Sequence, residues 1–341
     1  MTTTTVAPHS HGVPQLLTSG LRSYEPSDFE PVSVRQETWR FTPVSVLEPL
    51  LGEPNGTVVV NFDKMASSDS VTIETSAASG EPIPGYVPTD RLASNIWKCA
   101  GTATTVTVKR GSVVPTPISL RVSSESAAAC GVFIVNVESQ AQASIIIEHE
   151  GSVALGTTIV VTLGDAAVAD VTLVQNVAAP TAIYAHHIIG RDAVLKSTVV
   201  TLGGPCVRVV PTVAYVGTGG DAVLNGIAIA GPGDHIEHRS LANHEVPNCR
   251  SNVAYKNLLS GTSDNPSRTV WIGDVIIRAA ALGTDTYEMN RNLVIGDHAR
   301  ADSVPNLEIE TGEIAGAGHA SATDSCFIWL RRSSKNPRTI S

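Results

Sequence analysis

The stretches Gly131–Gly151, GVFIVNVESQAQASIIIEHEG, and Gly156–Asn176, GTTIVVTLGDAAVADVTLVQN, decide the fold. Both are built largely from Val, Ile and Leu alternating with polar or small residues, and a period of two marks a strand with one buried face. They also align strand on strand at a repeat of roughly 25 residues, within the range of solenoid coils. One such coil cannot bury its apolar face alone; stacking the next coil against it does so.

The same texture runs from about Val58 to Ile309, in short Val-, Ile- and Thr-rich runs broken by Gly, Asp, Asn and Pro. A two-sheet sandwich would need tight hairpins, and Asn55-Gly56 and Asn225-Gly226 are the only clear Asn-Gly signals. The chain has 42 % hydrophobic but only 4 % aromatic residues, a composition suited to thin stacked layers. The pattern therefore predicts a mainly β chain folded as a β-helix, or solenoid. Before it, Ser23–Gly52 carries Pro26 and Pro31, then Val44, Val46, Leu47, Leu50 and Leu51 at partly helical offsets. This predicts a small N-terminal helical subdomain over residues 26–57, with Trp39 and Phe41 as packing residues. Residues 1–25, rich in Thr, Ser and Pro, read as a flexible arm in which His9 and His11 are solvated.

The net charge of −9 argues against a protein that grips nucleic-acid phosphates, which would carry a basic stripe. The N-terminus has neither the basic start nor the apolar run of a secretory signal, and no apolar stretch approaches the ~20 residues of a membrane span. The five cysteines are scattered and form no CxxC pair. A soluble, cytoplasmic chain is the expectation.

His235, His238, His244 and Cys249 form an HxxH…H…C series of zinc- or iron-ligating types. On a strand, residues three apart face opposite sides, so His235 and His238 diverge and a closed mononuclear site is disfavoured. The alternative is histidines on a wet sheet face. His186-His187 diverge for the same reason. Gly217–Gly220 and Gly312, Gly316 and Gly318 match no phosphate-binding loop and are read as turn residues. The pieces IIGRDAVLKSTVV (188–200) and LVIGDHARADSVP (293–305) echo the hexapeptide rhythm of β-helix acyltransferases, but the rhythm stops after a turn or two. An acyltransferase or sugar-acting enzyme is the alternative reading.

Four segments, in order, carry a resemblance to a known family: ETWRFTPVSVL (37–47), GGPCVRVVPTVAYVGTGGDAVLNG (203–226), HIEHRSLANHEVPNCRSNVAYKN (235–257) and RTVWIGDVIIRAAALGTDTYEMNRNLVIG (268–296), followed by PNLEIETGEIAGAGHASAT (305–323). Together they resemble the SufB/SufD family of iron–sulfur cluster assembly proteins, with the SufD side of actinobacterial type the nearest in pattern. The resemblance implies a right-handed parallel β-helix over residues 58–323 behind a helical N-terminal subdomain. It implies a non-enzymatic scaffold subunit of a SufBCD complex that pairs with SufB through the end of the β-helix. ATP hydrolysis then belongs to SufC, and a flavin is possible for the complex. It places His319, in GHASAT, at the SufB interface as a ligand to iron or a transient iron–sulfur cluster, and leaves Cys249 as a second metal candidate. Some members carry a Cys two residues before that His; here Ala317 stands there.

After Thr323 the pattern departs. The family continues into an acidic linker and a C-terminal helical domain that docks SufC, whereas this chain reads DSCFIWLRRSSKNPRTIS over 324–341. The expectation is an aberrant basic tail, read out of frame, with the C-terminal helical domain missing. A truncated, impaired SufD relic is the corresponding alternative function.

Overall fold

The computed structural model describes residues 20–62, 69–124 and 127–310, and the backbone of 319–327. The expected arm falls mostly on residues 1–19 and the end of the basic tail on 328–341, both outside the described residues. The N-terminal part consists of 3-10 turns at Pro26–Asp28, Glu37–Trp39 and Val44–Leu47 leading into α1 (Glu48–Leu51). Strands β1 (Val59–Phe62) and β2 (Val71–Ala77) precede α2 (Arg91–Lys98). Then come β3 (Thr102–Val108), β4 (Ile118–Ser123), β5 (Ala129–Val137), β6 (Gln142–Gly151), β7 (Leu155–Leu163), β8 (Val168–Val177), β9 (Thr181–Ile189) and β10 (Val194–Leu202). The series continues through β11 (Val207–Tyr215), β12 (Asp221–Ala230), β13 (His235–His244), β14 (Arg250–Ser260), β15 (Ser267–Ile277), β16 (Asp285–Ile295), β17 (Ala299–Ile309) and β18 (His319–Phe327).

Successive strands alternate between two sheets, one ordered β1-β4-β6-β8-β10-β12-β14-β16-β18, the other β17-β15-β13-β11-β9-β7-β5-β3-β2. From β3 and β4 onward every pairing is parallel, so the chain winds as a solenoid with two strands per coil, as the alternation predicts. Ala129 stands beside Leu155 and Leu155 beside Thr181, a repeat of 26 residues. Later coils lengthen: His235 meets Arg268, 33 residues on, and Arg250 meets Asp285, 35 on. β1 pairs antiparallel with β4 and β2 with β3, and these two strands form the first end.

The corner that leads from the β3–β17 sheet to the other sheet recurs in the same form. Gly111, Gln140, Ala166, Asp192, Gly219 and Asn248 all have φ between 55° and 79°, one per coil. The left-handed conformation turns the N–H of Gln140, Ala166, Asp192 and Asn248 onto a carbonyl of the next coil, at 2.8–3.0 Å. Those bonds offset the conformational cost of placing side-chain-bearing residues there.

Inward residues of the early coils form one apolar column that includes Ile145, Ile147, Val171, Leu173, Ile183, Leu195, Val209 and Leu224, all at most 1 % exposed. Each such side chain contributes about 1.5–3 kcal/mol on burial. The lumen changes character toward the other end, where inward positions carry Ser251, Tyr255, Asn257, Trp271, Glu288, Asn290 and Asn292. Asn225-Gly226 is not a hairpin. It sits within β12, where a Cβ on Gly226 would lie 2.0 Å from the Tyr255 ring. Gly226→Ala is expected to lower stability by about 1–3 kcal/mol through overpacking; an unchanged denaturant midpoint would show that Tyr255 can move aside.

The outer face of the β3–β17 sheet is covered. Asp90 caps α2 by accepting the Ala93 N–H at 2.8 Å, and α2 buries Leu92, Ala93 and Ile96. Asn95 ties α2 to the N-terminal turns through the Leu50 and Gly52 carbonyls, at 2.7 and 2.9 Å. Trp39, Leu47, Leu50, Tyr184, Val210 and Leu241 complete this second apolar layer.

Candidate functional site

β13, HIEHRSLANH, is the strand in which all ten residues are buried, where most other strands alternate between buried and half-exposed. Its histidines are therefore not on a wet face, which corrects the expectation. The lumen encloses one side and the N-terminal segment covers the other. Glu237 and Arg239 lie on the covered side. Glu237 pairs with Arg208 of β11 and accepts a hydrogen bond from the Thr42 hydroxyl at 2.6 Å. Arg208 reaches Thr42 Oγ1 at 3.2 Å and the Thr38 carbonyl at 3.3 Å, and its guanidinium carbon sits 4.1 Å over the Trp39 ring. Arg239 donates to the Thr38 carbonyl at 2.8 Å. Asp90, 3.9 Å from Arg208, accepts the Tyr184 hydroxyl at 2.9 Å.

Two cations and two carboxylates thus balance in a dry layer, which a buried charge requires. Burial pushes the Glu237 carboxyl up, but Arg208, Arg239 and the Thr42 bond outweigh it and hold the group below its ordinary value. Burial, reinforced by the charge of Arg208, lowers Arg239. The ETWRFT segment is thereby clamped across the sheet, so this cluster is a structural clasp.

Alternation separates the histidine series. His235 lies on the covered side, whereas His238 and His244 face the lumen. His238 shares a hydrogen bond with Thr201 of the opposite sheet at 2.8 Å and meets Tyr255 edge-on at 5.4 Å. His244 bonds Ser251 at 2.9 Å and stacks on Tyr215 at 4.6 Å. Burial holds all three near a pKa of about 4, so they are uncharged at neutral pH. Cys249 is buried at the corner into β14, its Sγ 3.5 Å from the Gly217 carbonyl, with burial raising its thiol pKa. His186 faces outward to Thr212 at 2.6 Å, and His187 turns back to the Thr212 carbonyl at 2.9 Å. Among the described residues, no group of three or more His, Cys, Asp or Glu is placed to hold a metal ion.

The two ends of the solenoid differ. One ends in strands β1 and β2, each paired antiparallel to its neighbour and on one edge only among the described residues. At the other, β17 and β18 each end their sheet, with one edge unpaired among the described residues. His319 opens β18 and stands beside Tyr287 in register; its side chain is outside the described residues. Ala317 and the glycines of 312–318 also lie outside them. The register holds through Arg291–Thr323 and then slips by one residue, with Leu293 beside Cys326. That slip falls where the family-like motif ends.

The sequence reading missed α2, Arg208, Arg239, Glu237 and Glu288. The signal for α2 was present: Asp90 as a cap, then Leu92, Ala93, Ile96 and Trp97 at helical spacing. Arg208 and Glu237 are partners in strand register, a relation that exists only once the coil length is known.

The family model described as "SUF system FeS cluster assembly, SufBD core domain" matches residues 120–325. An iron–sulfur cluster assembly SufBD family protein of Mycobacterium tuberculosis is 42 % identical over 325 residues, covering 91 % of this chain and 81 % of its own length. One from Mycobacterium leprae is 41 % identical over 324 residues, with 91 % and 82 % covered. The iron–sulfur cluster assembly protein SufD of Escherichia coli is 26 % identical over 153 residues, 43 % of this chain and 35 % of that protein. With its solenoid, its covered β13 and a family match spanning most of the coils, this chain belongs to the SufBD family of iron–sulfur cluster assembly proteins.

Proposed function

We propose that this chain is a non-enzymatic scaffold subunit of a SufBCD-type complex, acting in the cytoplasm and pairing with SufB through its β17–β18 end. The observation that carries this reading is the match to the SufBD core domain over residues 120–325, which spans most of the coils and reaches into β18. Among the described residues each sheet has an edge strand at either end; β17 and β18, at this end, continue the parallel stacking of the coils and include His319, and such edges suit pairing with another chain's strands.

His319, on the terminal strand of this end, is the residue proposed to ligate iron or nascent cluster, which are cargo. One imidazole from this chain, completed by thiolate or carboxylate ligands from SufB, makes a shared and releasable site, as a transfer scaffold requires. SufC supplies ATP hydrolysis in this reading, and no flavin is assigned. Among the described residues, no helix is long and apolar enough to cross a membrane, which agrees with this setting.

The test is co-expression with SufB and SufC, followed by pull-down and iron and sulfide analysis. His319→Ala is expected to retain SufB while recovering several-fold less iron and sulfide, and Cys249→Ser to recover as much as the parent. Failure of the parent chain to bind SufB defeats the pairing. Unchanged cargo in His319→Ala removes the ligand role.

A further inference from the structure

We propose that the last turns of the solenoid enclose a hydrated polar chamber in which Glu288 carries an exchangeable proton, reaching solvent at the β17–β18 end past Asn290, Asn292 and Ser303. The ligand of this site is the proton, and water is its carrier.

Glu288 lies at an inward position of β16 and is 2 % exposed. Among the described residues neither carboxyl oxygen has a protein partner. The same holds for Trp271 Nε1, Tyr255 Oη and Ser240 Oγ, from three neighbouring lumen-facing strands. A Cβ at Gly273 would fall 2.5 Å from Glu288 Oε2 and 2.3 Å from Trp271 Cζ2, so glycine lets the carboxyl lie against β15 beside the indole. The Tyr255 and Trp271 ring centres are 6.1 Å apart. Such a gathering of buried, unpaired donors and acceptors is what internal water satisfies, at about three hydrogen bonds per molecule.

The groups facing Glu288 do not favour its ionisation. β13 brings the uncharged His238 and β14 brings Tyr255, while Asp274, on the opposite face of β15 in register with Leu241, acts against it through the sheet. β17 brings Ser303, and β18 places Ala320 beside Glu288 in register. Burial, with Asp274 second, raises the carboxyl to about 8, so it is protonated near neutral pH.

The way out is polar. Asn292 Nδ2 donates to Asn290 Oδ1 at 2.7 Å and to Ser303 Oγ at 3.0 Å, and the Ser303 hydroxyl donates to Asn290 Oδ1. Ser303 is half-buried on the edge strand β17, so this cluster joins the chamber to the surface. The inference stands apart from the partner assignment, because it concerns the chain alone.

The experiment uses the full chain with carboxyl-labelled glutamate, followed by infrared and NMR spectroscopy in water and D2O. The parent should show one protonated carboxyl near neutral pH that titrates away at alkaline pH and is missing from Glu288→Gln. Should Glu288→Gln not fold, Glu288→Met provides the same assignment. The proton should exchange with D2O within the mixing time, and Ser303→Leu should slow that exchange on the order of tenfold. A carboxyl ionised near neutral pH overturns the proposal, as does one that exchanges only on global unfolding. Exchange unaltered in Ser303→Leu overturns the route.

Discussion

Arg208→Met is expected to destabilise the chain by about 3–5 kcal/mol, the usual consequence of breaking one side of a buried ion pair. Arg208 is fully buried and serves Glu237, Thr42, Thr38, Asp90 and the Trp39 ring together. Methionine fills much of its volume but leaves Glu237 with the Thr42 hydroxyl and, as the cation beside it among the described residues, Arg239, whose guanidinium nitrogen is 3.5 Å away. Arg208→Lys should not rescue, because a single ammonium cannot reproduce the planar fork that bonds three groups and stacks on indole. The double variant Arg208→Met/Glu237→Gln should recover part of the loss, since no uncompensated carboxylate remains. Denaturant unfolding measures the loss; limited proteolysis reports release of the Thr38–Thr42 segment. A loss under about 1 kcal/mol would show the clasp to be dispensable. The pH dependence has a defined sign. The folded pKa of Glu237 lies below its unfolded value. Its contribution is present above the unfolded pKa and lost as pH falls through the folded one, so acid should loosen the clasp.

How much of this was readable beforehand depends on the range of the interaction. The coil repeat shows in the apolar alternation, because each strand must present one face to a lumen only two sheets thick. The corners were less readable: Gln140 and Ala166 adopt left-handed backbone without being residues that seek it, held by bonds to the next coil. The same applies to β13. Its histidines suggested either ligands or a wet surface, yet they are buried because residues 38–42 lie across the strand, a contact spanning about 200 residues that no local pattern encodes. Once the coil offset is known, charges at matching outward positions, such as Arg208 and Glu237, become a predictable pair. His319 rests on motif resemblance, to which the structure adds its place on the terminal strand.

Glu288→Gln should stabilise the chain, by about 3 kcal/mol at pH 7 and less as pH falls. The folded carboxyl has a pKa of about 8 against an ordinary value of 4.5. Between these values the unfolded chain gives up the proton while the folded chain keeps it, so unfolding is favoured progressively as pH rises. Below the lower value both states are protonated and the penalty vanishes; above the upper one it is complete. The parent should therefore lose stability from mildly acidic to mildly alkaline pH relative to Glu288→Gln, and the two curves should converge in acid. Glutamine retains the shape and neutrality of the protonated acid, so packing against Gly273 and Trp271 is preserved and charge is the variable that changes. Asp274→Asn separates the two causes. It removes the neighbouring negative charge, which should lower the Glu288 pKa and flatten the parent's slope, while burial keeps most of the shift in place. Parallel curves for parent and Glu288→Gln across this range would mean that the carboxyl is ionised in the folded chain, with its charge compensated inside the lumen.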